Sequence, residues 1–163
     1  MNKQFIDKII KDTLEGIPYK FAITDADVAM VLVAFLDGSN MYQSGDVHHR
    51  RYGMMRMSNA QLEKVIHDYI IPHDDIYQYV LTYTMVDCRN FEYSDIWLAV
   101  DYNIAFQVIV TYLCLFHLNG AKPESIMDAI DIYMDYWDRV NTKNNKSTVG
   151  YLLGQHSKPA GSR

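Results

Sequence analysis

Two stretches, residues 28–36 and 104–118, are apolar on nearly every side of a helix, and they constrain the fold more than anything else in the chain. A surface helix shows one apolar stripe to a core, whereas a helix that is apolar all round must be surrounded by protein or lipid. Lipid is the poorer environment here. A bilayer core needs about 20 apolar residues in one helix, and the longer stretch falls short of that and carries Gln107 and His117. Both therefore read as buried central helices, and no membrane span is expected.

The remaining segments supply the wrapping. Phe5, Ile9, Ile10 and Leu14 share a helical face, and Gly16 and Pro18 end that helix. Thr24 offers an N-cap to the first central helix, with Asp27 in its first turn. Asp37-Gly38-Ser39-Asn40 is a cluster of turn formers that should stop it. Residues 37–58 are polar and irregular, with room for a short hairpin. Ser58 and Gln61 form a capping box, Leu62, Val65, Ile66, Tyr69 and Ile70 follow at helical spacing, and Pro72 closes the segment. A helix over 74–87 comes next, with Ile76, Val80 and Tyr83 on one face. Ser94 caps a signal that runs with little break from 95 to 119, where Gly120 is a good stop. Pro123 sits at the first position of a last helix bearing Ile126, Ile130, Tyr133 and Trp137. From Lys143 onward the chain is polar, glycine-containing and basic, an arm pinned at most by Tyr151, Leu152 and Leu153. The expected architecture is mainly α: a helical domain over 1–142, a polar loop or short hairpin at about 37–58, and an arm over 143–163.

Composition narrows the function classes. With 49% hydrophobic and 21% charged residues the chain is globular rather than disordered. Its net charge of −5 gives no global basic field, so nucleic acid is not an expected partner. Thirteen tyrosines supply rings that suit core edges, protein interfaces or sugar grooves. Cys88 and Cys114 are isolated within apolar patterns and read as small buried hydrophobes of a chain made in a reducing cytoplasm. Residues 1–16 carry scattered acids and no apolar run, unlike a secretory signal.

The densest collection of possible metal ligands is His67-Asp68 and His73-Asp74-Asp75. Pro72 separates the two groups, no shared face is evident, and no third histidine lies at ligand spacing on a neighbouring helix, so no metal or other cofactor is expected. A helix end followed by an acid-rich helix start explains the pattern. His48-His49-Arg50-Arg51 reads as a solvated loop patch able to meet phosphate or carboxylate. There is no phosphate-cradling glycine loop and no nucleophile elbow.

One ordered set of fragments points to a chemistry. Phe35-Leu36-Asp37-Gly38-Ser39-Asn40 ends the first central helix; Tyr52-Gly53-Met54-Met55-Arg56-Met57 follows; then come Asn103-Ile104 with Tyr112-Leu113, and finally Ala129-Ile130-Asp131-Ile132-Tyr133. The order, over about residues 35–140, resembles the lysozyme-like soluble lytic transglycosylase family, which cleaves the glycan strand of peptidoglycan. That family carries a helix ending in Glu-Ser, a Gly-Leu-Met-Gln segment, an Asn-Ile…Tyr-Leu helix and an Ala-Tyr-Asn segment. The resemblance implies a lysozyme-like fold and a substrate groove lined by Gly38, Ser39, Met54, Met55, Arg56 and Asn103. It also implies that Tyr133 stands near the scissile sugar.

The departures are chemical. The family's Glu falls on Gly38, its Gln on Arg56 and its final Asn on Met134. Glycoside cleavage needs a carboxylic acid at the bridging oxygen, and losing such a group costs about 10²–10⁴-fold. Asp37 is the one nearby substitute, one residue early and one methylene shorter, and a misplacement of about 1 Å can cost about 10²-fold. The resemblance then implies a catalytically impaired, virion-associated protein of bacteriophage type. Its partners would be the peptidoglycan glycan strand or other virion proteins, and it could act as an oligomer or assembly subunit. An active muramidase using Asp37 as general acid, and a small acidic helical protein gripping a host enzyme, remain open at this point. A metal-dependent phosphohydrolase is a more distant fourth.

Overall fold

The computed structural model describes residues 2–39, 52–90 and 92–136. The expected arm over 143–163, Trp137 and the basic run His48–Arg51 lie outside the described residues. The protein is mainly helical, with seven α-helices and one π-helical segment among the described residues.

Helix α1 (Lys3–Glu15) starts on Asn2, whose side chain accepts from the Gln4 and Phe5 amides, and ends at Gly16. It buries Ile10 and Leu14 of the expected face together with Ile6 and Thr13, and Ile9 is partly buried against the core. Phe5 stays exposed. Helix α2 (Asp25–Ser39) is enclosed from residue 26 to residue 38, as its all-round apolarity requires. At its start Thr24 and Asp27 cap each other: the Thr24 N–H donates to the Asp27 carboxylate at 2.9 Å and the Asp27 N–H to the Thr24 hydroxyl at 3.5 Å. Asp27 is fully buried, and a buried carboxylate needs compensation. The Tyr112 hydroxyl donates to it at 2.9 Å and the Lys122 ammonium pairs with it at 3.0 Å.

The helix ends at Ser39, inside the expected cluster of turn formers. The helix continues through Asp37 and Gly38 because both are packed inside the protein. A helical glycine costs about 1 kcal/mol against alanine, and here close backbone approach outweighs that. Within the expected hairpin region, Tyr52 and Met57 form a single antiparallel bridge closed by two 2.9 Å backbone bonds. The capping box of Ser58 and Gln61 opens α3 (Asn59–Lys64), which passes directly into the π segment (Val65–Ile70). Helix α4 (Asp74–Thr84) ends earlier than expected because Met85 takes a left-handed φ of 63°.

The long helix read over 95–119 is two helices. Helix α5 (Tyr93–Tyr102) and α6 (Ile104–Asn119) meet at 101°. Asn103 makes the corner: its side-chain oxygen accepts from the Phe106 amide at 3.1 Å and its side-chain nitrogen donates to the Thr84 carbonyl at 2.9 Å. The start of α5 is at Glu92 rather than Ser94. Helix α6 is buried from Phe106 to Leu115 and ends, as expected, at Gly120 with φ 76°. Helix α7 (Ile126–Tyr136) begins after Pro123, with the Ser125 hydroxyl accepting from the Asp128 amide at 3.0 Å. It packs chiefly on α2 and buries Ala129, Ile130, Ile132 and Tyr133, while α6 touches α1, α2, α3, α4, α5, α7 and the π segment. One continuous apolar core results. Cys88 and Cys114 are free and buried in it, and burial pushes both thiols up to about 12. Among the described residues no single helix is long and apolar enough to cross a membrane.

Candidate functional site at the end of the central helix

Three distant parts of the chain meet where α2 ends. Asp37, wholly enclosed, accepts a hydrogen bond from the Tyr133 hydroxyl on α7. One residue on, Gly38 faces the turn over 52–57 so closely that an added Cβ would lie well inside contact distance of the Met54 carbonyl oxygen and 3.0 Å from Met55 Cα. Only glycine lets this helix and this turn approach.

The turn itself is held from behind by α5 and α6. The Gly53 amide donates to the Asp101 carboxylate at 3.0 Å, and the Met54 amide to the Gln107 side-chain oxygen at 3.1 Å. Tyr52 stacks on Trp97 with ring centroids 5.3 Å apart. Gly53 takes φ 71°, and a Cβ there would come within 2.9 Å of the Val100 carbonyl, so glycine is required twice over. Met55 and Met57 are fully buried. Arg56 between them takes φ 57°, and its buried Nε makes no hydrogen bond among the described residues.

The structure brings together Asp37, Gly38, Met54, Met55, Arg56 and Tyr133, six of the residues that sequence order singles out. Ser39 is the last residue of α2. Asn103 uses both ends of its side chain at the α5–α6 corner. The residues that sequence reasoning missed are Gln107 and Asp101, which fix the turn. Gln107 carried a legible signal: a buried amide inside an apolar helix requires a specific partner.

Chemically, this arrangement is closed. A general acid must come within about 2.6–3.2 Å of the oxygen it protonates, and Asp37 has no exposed surface. The space that a side chain at Gly38 would need is occupied by the Met54–Met55 backbone. The histidine–acid groups are dispersed. Asp68 pairs with Lys64 at 2.9 Å and Asp74 with Arg89 at 2.6 Å, and no group of three or more potential ligands forms a metal site among the described residues. His117, on α6, instead stacks on Tyr69 of the π segment at 3.7 Å between ring centroids and lies 3.3 Å from the Tyr19 hydroxyl. Burial, and secondarily the charge of His73, lowers its pKa below the ordinary imidazole value. Comparison with protein-family models, curated proteins and solved structures returned no match.

Proposed function

We propose that this chain is a lysozyme-like helical domain whose catalytic cleft has become a packing joint, so that it serves as a structural or wall-contacting component and not as a hydrolase. The reading draws on the order of the four sequence fragments and on the meeting of Asp37-Gly38 with Met54–Arg56 and Tyr133, residues up to 96 positions apart. The observation that carries the non-catalytic part is the fit at Gly38: a side chain there would collide with the Met54–Met55 backbone. A glutamate restored at that position would have nowhere to go unless the turn moved. In this reading the protein belongs to a phage particle and meets the glycan strand through the surface around the turn.

Cosedimentation of the full chain with purified peptidoglycan sacculi tests the reading. The protein should pellet with intact sacculi and should release no soluble muropeptides. A chain that stays in the supernatant at all sacculus concentrations would remove the wall-contacting role.

The surviving hydrogen bond between Tyr133 and Asp37 favours one other reading, an active muramidase with Asp37 as the acid and Tyr133 and Arg56 along the groove. It requires the 52–57 turn to lift away from α2 during turnover. Turbidity loss of purified walls that disappears in Asp37→Ala would support it.

A further inference from the structure

We infer that Arg56 marks a binding site for a carboxylate or phosphate group at the 52–57 turn. Arginine is seldom buried without a partner, because a desolvated guanidinium loses its hydration and must recover it from protein acceptors. Arg56 is half-buried, its Nε is enclosed, and its side chain makes no hydrogen bond or ion pair among the described residues. Carboxylates are not scarce: the chain has 20 acidic against 15 basic residues. Other cations of this protein use them, with Lys8 on Asp12, Lys64 on Asp68, Arg89 on Asp74 and Lys122 on Asp27. Arg56 has no such partner among the described residues, and it stands beside the site.

Its backbone adds to the argument. A left-handed φ of 57° is uncommon for a residue with a Cβ. The turn imposes it: the Tyr52–Met57 bridge closes the ends, the Arg56 amide bonds the Gly53 carbonyl at 3.2 Å, and the buried Met55 and Met57 fix both neighbours. The Arg56 side chain thus leaves from a backbone position that its neighbours fix. A planar fork of donors with no acceptor among the described residues is suited to bidentate capture of a carboxylate or phosphate. The inference needs no sugar cleft. Should the wall-contacting reading hold, the carboxylates of muramic acid and its peptide are the group to expect; otherwise the site serves another anion.

Thermal unfolding and isothermal titration of the full chain test this, with N-acetylmuramic acid and inorganic phosphate as probes and N-acetylglucosamine as the uncharged control. Ligand that binds the native state raises Tm. At least one of the two anions should raise the Tm of the wild type while N-acetylglucosamine does not. Arg56→Gln should weaken that anion's affinity at least about tenfold, with Arg56→Lys between the two. A response to N-acetylmuramic acid alone names a wall carboxylate as the source, and a response to phosphate alone names a phosphate. Without ligand, Arg56→Gln should leave Tm unchanged or higher, since it removes an uncompensated charge. The inference is overturned if neither anion shifts the wild type, if Arg56→Gln responds as the wild type does, or if Arg56→Gln is destabilised without ligand. The last result would show that the arginine stabilises the fold itself.

Discussion

At Gly38 a single methyl group decides between two energetic terms of opposite sign. Alanine gains about 1 kcal/mol in helix propensity over glycine, but its Cβ would press on the Met54 carbonyl and on Met55 Cα, both backbone atoms of a turn anchored by Asp101 and Gln107. Overpacking of this kind costs about 1–3 kcal/mol, so Gly38→Ala should show a net loss of stability in urea denaturation. An increase would mean that the turn yields freely. At the α5–α6 corner, Asn103→Ala removes a helix cap and a side-chain bond to the Thr84 carbonyl together. The expected cost is about 1–2 kcal/mol, read by the same method. Both residues were visible in the sequence, yet their roles were not. Gly38 looked like a helix stop because glycine usually ends helices; its actual reason lies in backbone 16 residues away in sequence, which no local pattern reports.

Helices were more legible than their joints. The burial of α2 and α6 follows directly from apolarity on every face, and the Ser58–Gln61 box opened α3 where the pattern put it. The break between α5 and α6 was missed because one asparagine inside a helical signal is weak locally, and its decisive bond is to Thr84 on another element. The π segment was missed for a similar reason: its residues keep helical spacing. That segment has a measurable consequence, since it presents Tyr69 to His117. A histidine with a lowered pKa is held neutral in the folded state, whereas the unfolded chain takes up its proton near the ordinary value of 6.5. The stability it confers is therefore complete above about pH 6.5 and is lost as pH falls below that value toward its folded pKa. His73, Tyr69 and Tyr19 are the titratable groups around it. Tm should fall between neutral and mildly acidic pH, above the range where ordinary carboxylates titrate. His117→Phe should flatten that part of the profile. An unaltered profile in the variant would assign the titration to another group.

For the whole molecule, the consequential fact is that α2, the 52–57 turn and α7 converge on one buried joint. Sequence order brought Asp37, Gly38, Met54, Met55, Arg56 and Tyr133 into one list, and the fold brings the same residues into one place. What order could not supply was the state of that place: whether a groove lies open there or backbone fills it. The filling by Met54 and Met55, the enclosure of Asp37 and the glycine requirement at position 38 together describe a joint that packs three elements together and leaves Asp37 with no exposed surface. The most direct test is mass-spectrometric detection of soluble muropeptides after prolonged incubation of the full chain with purified sacculi, from acidic to alkaline pH. The closed joint predicts none above the level of an enzyme-free control. Muropeptides that accumulate with the wild type and vanish with Asp37→Asn would contradict it, because they would require Asp37 to reach a glycosidic oxygen.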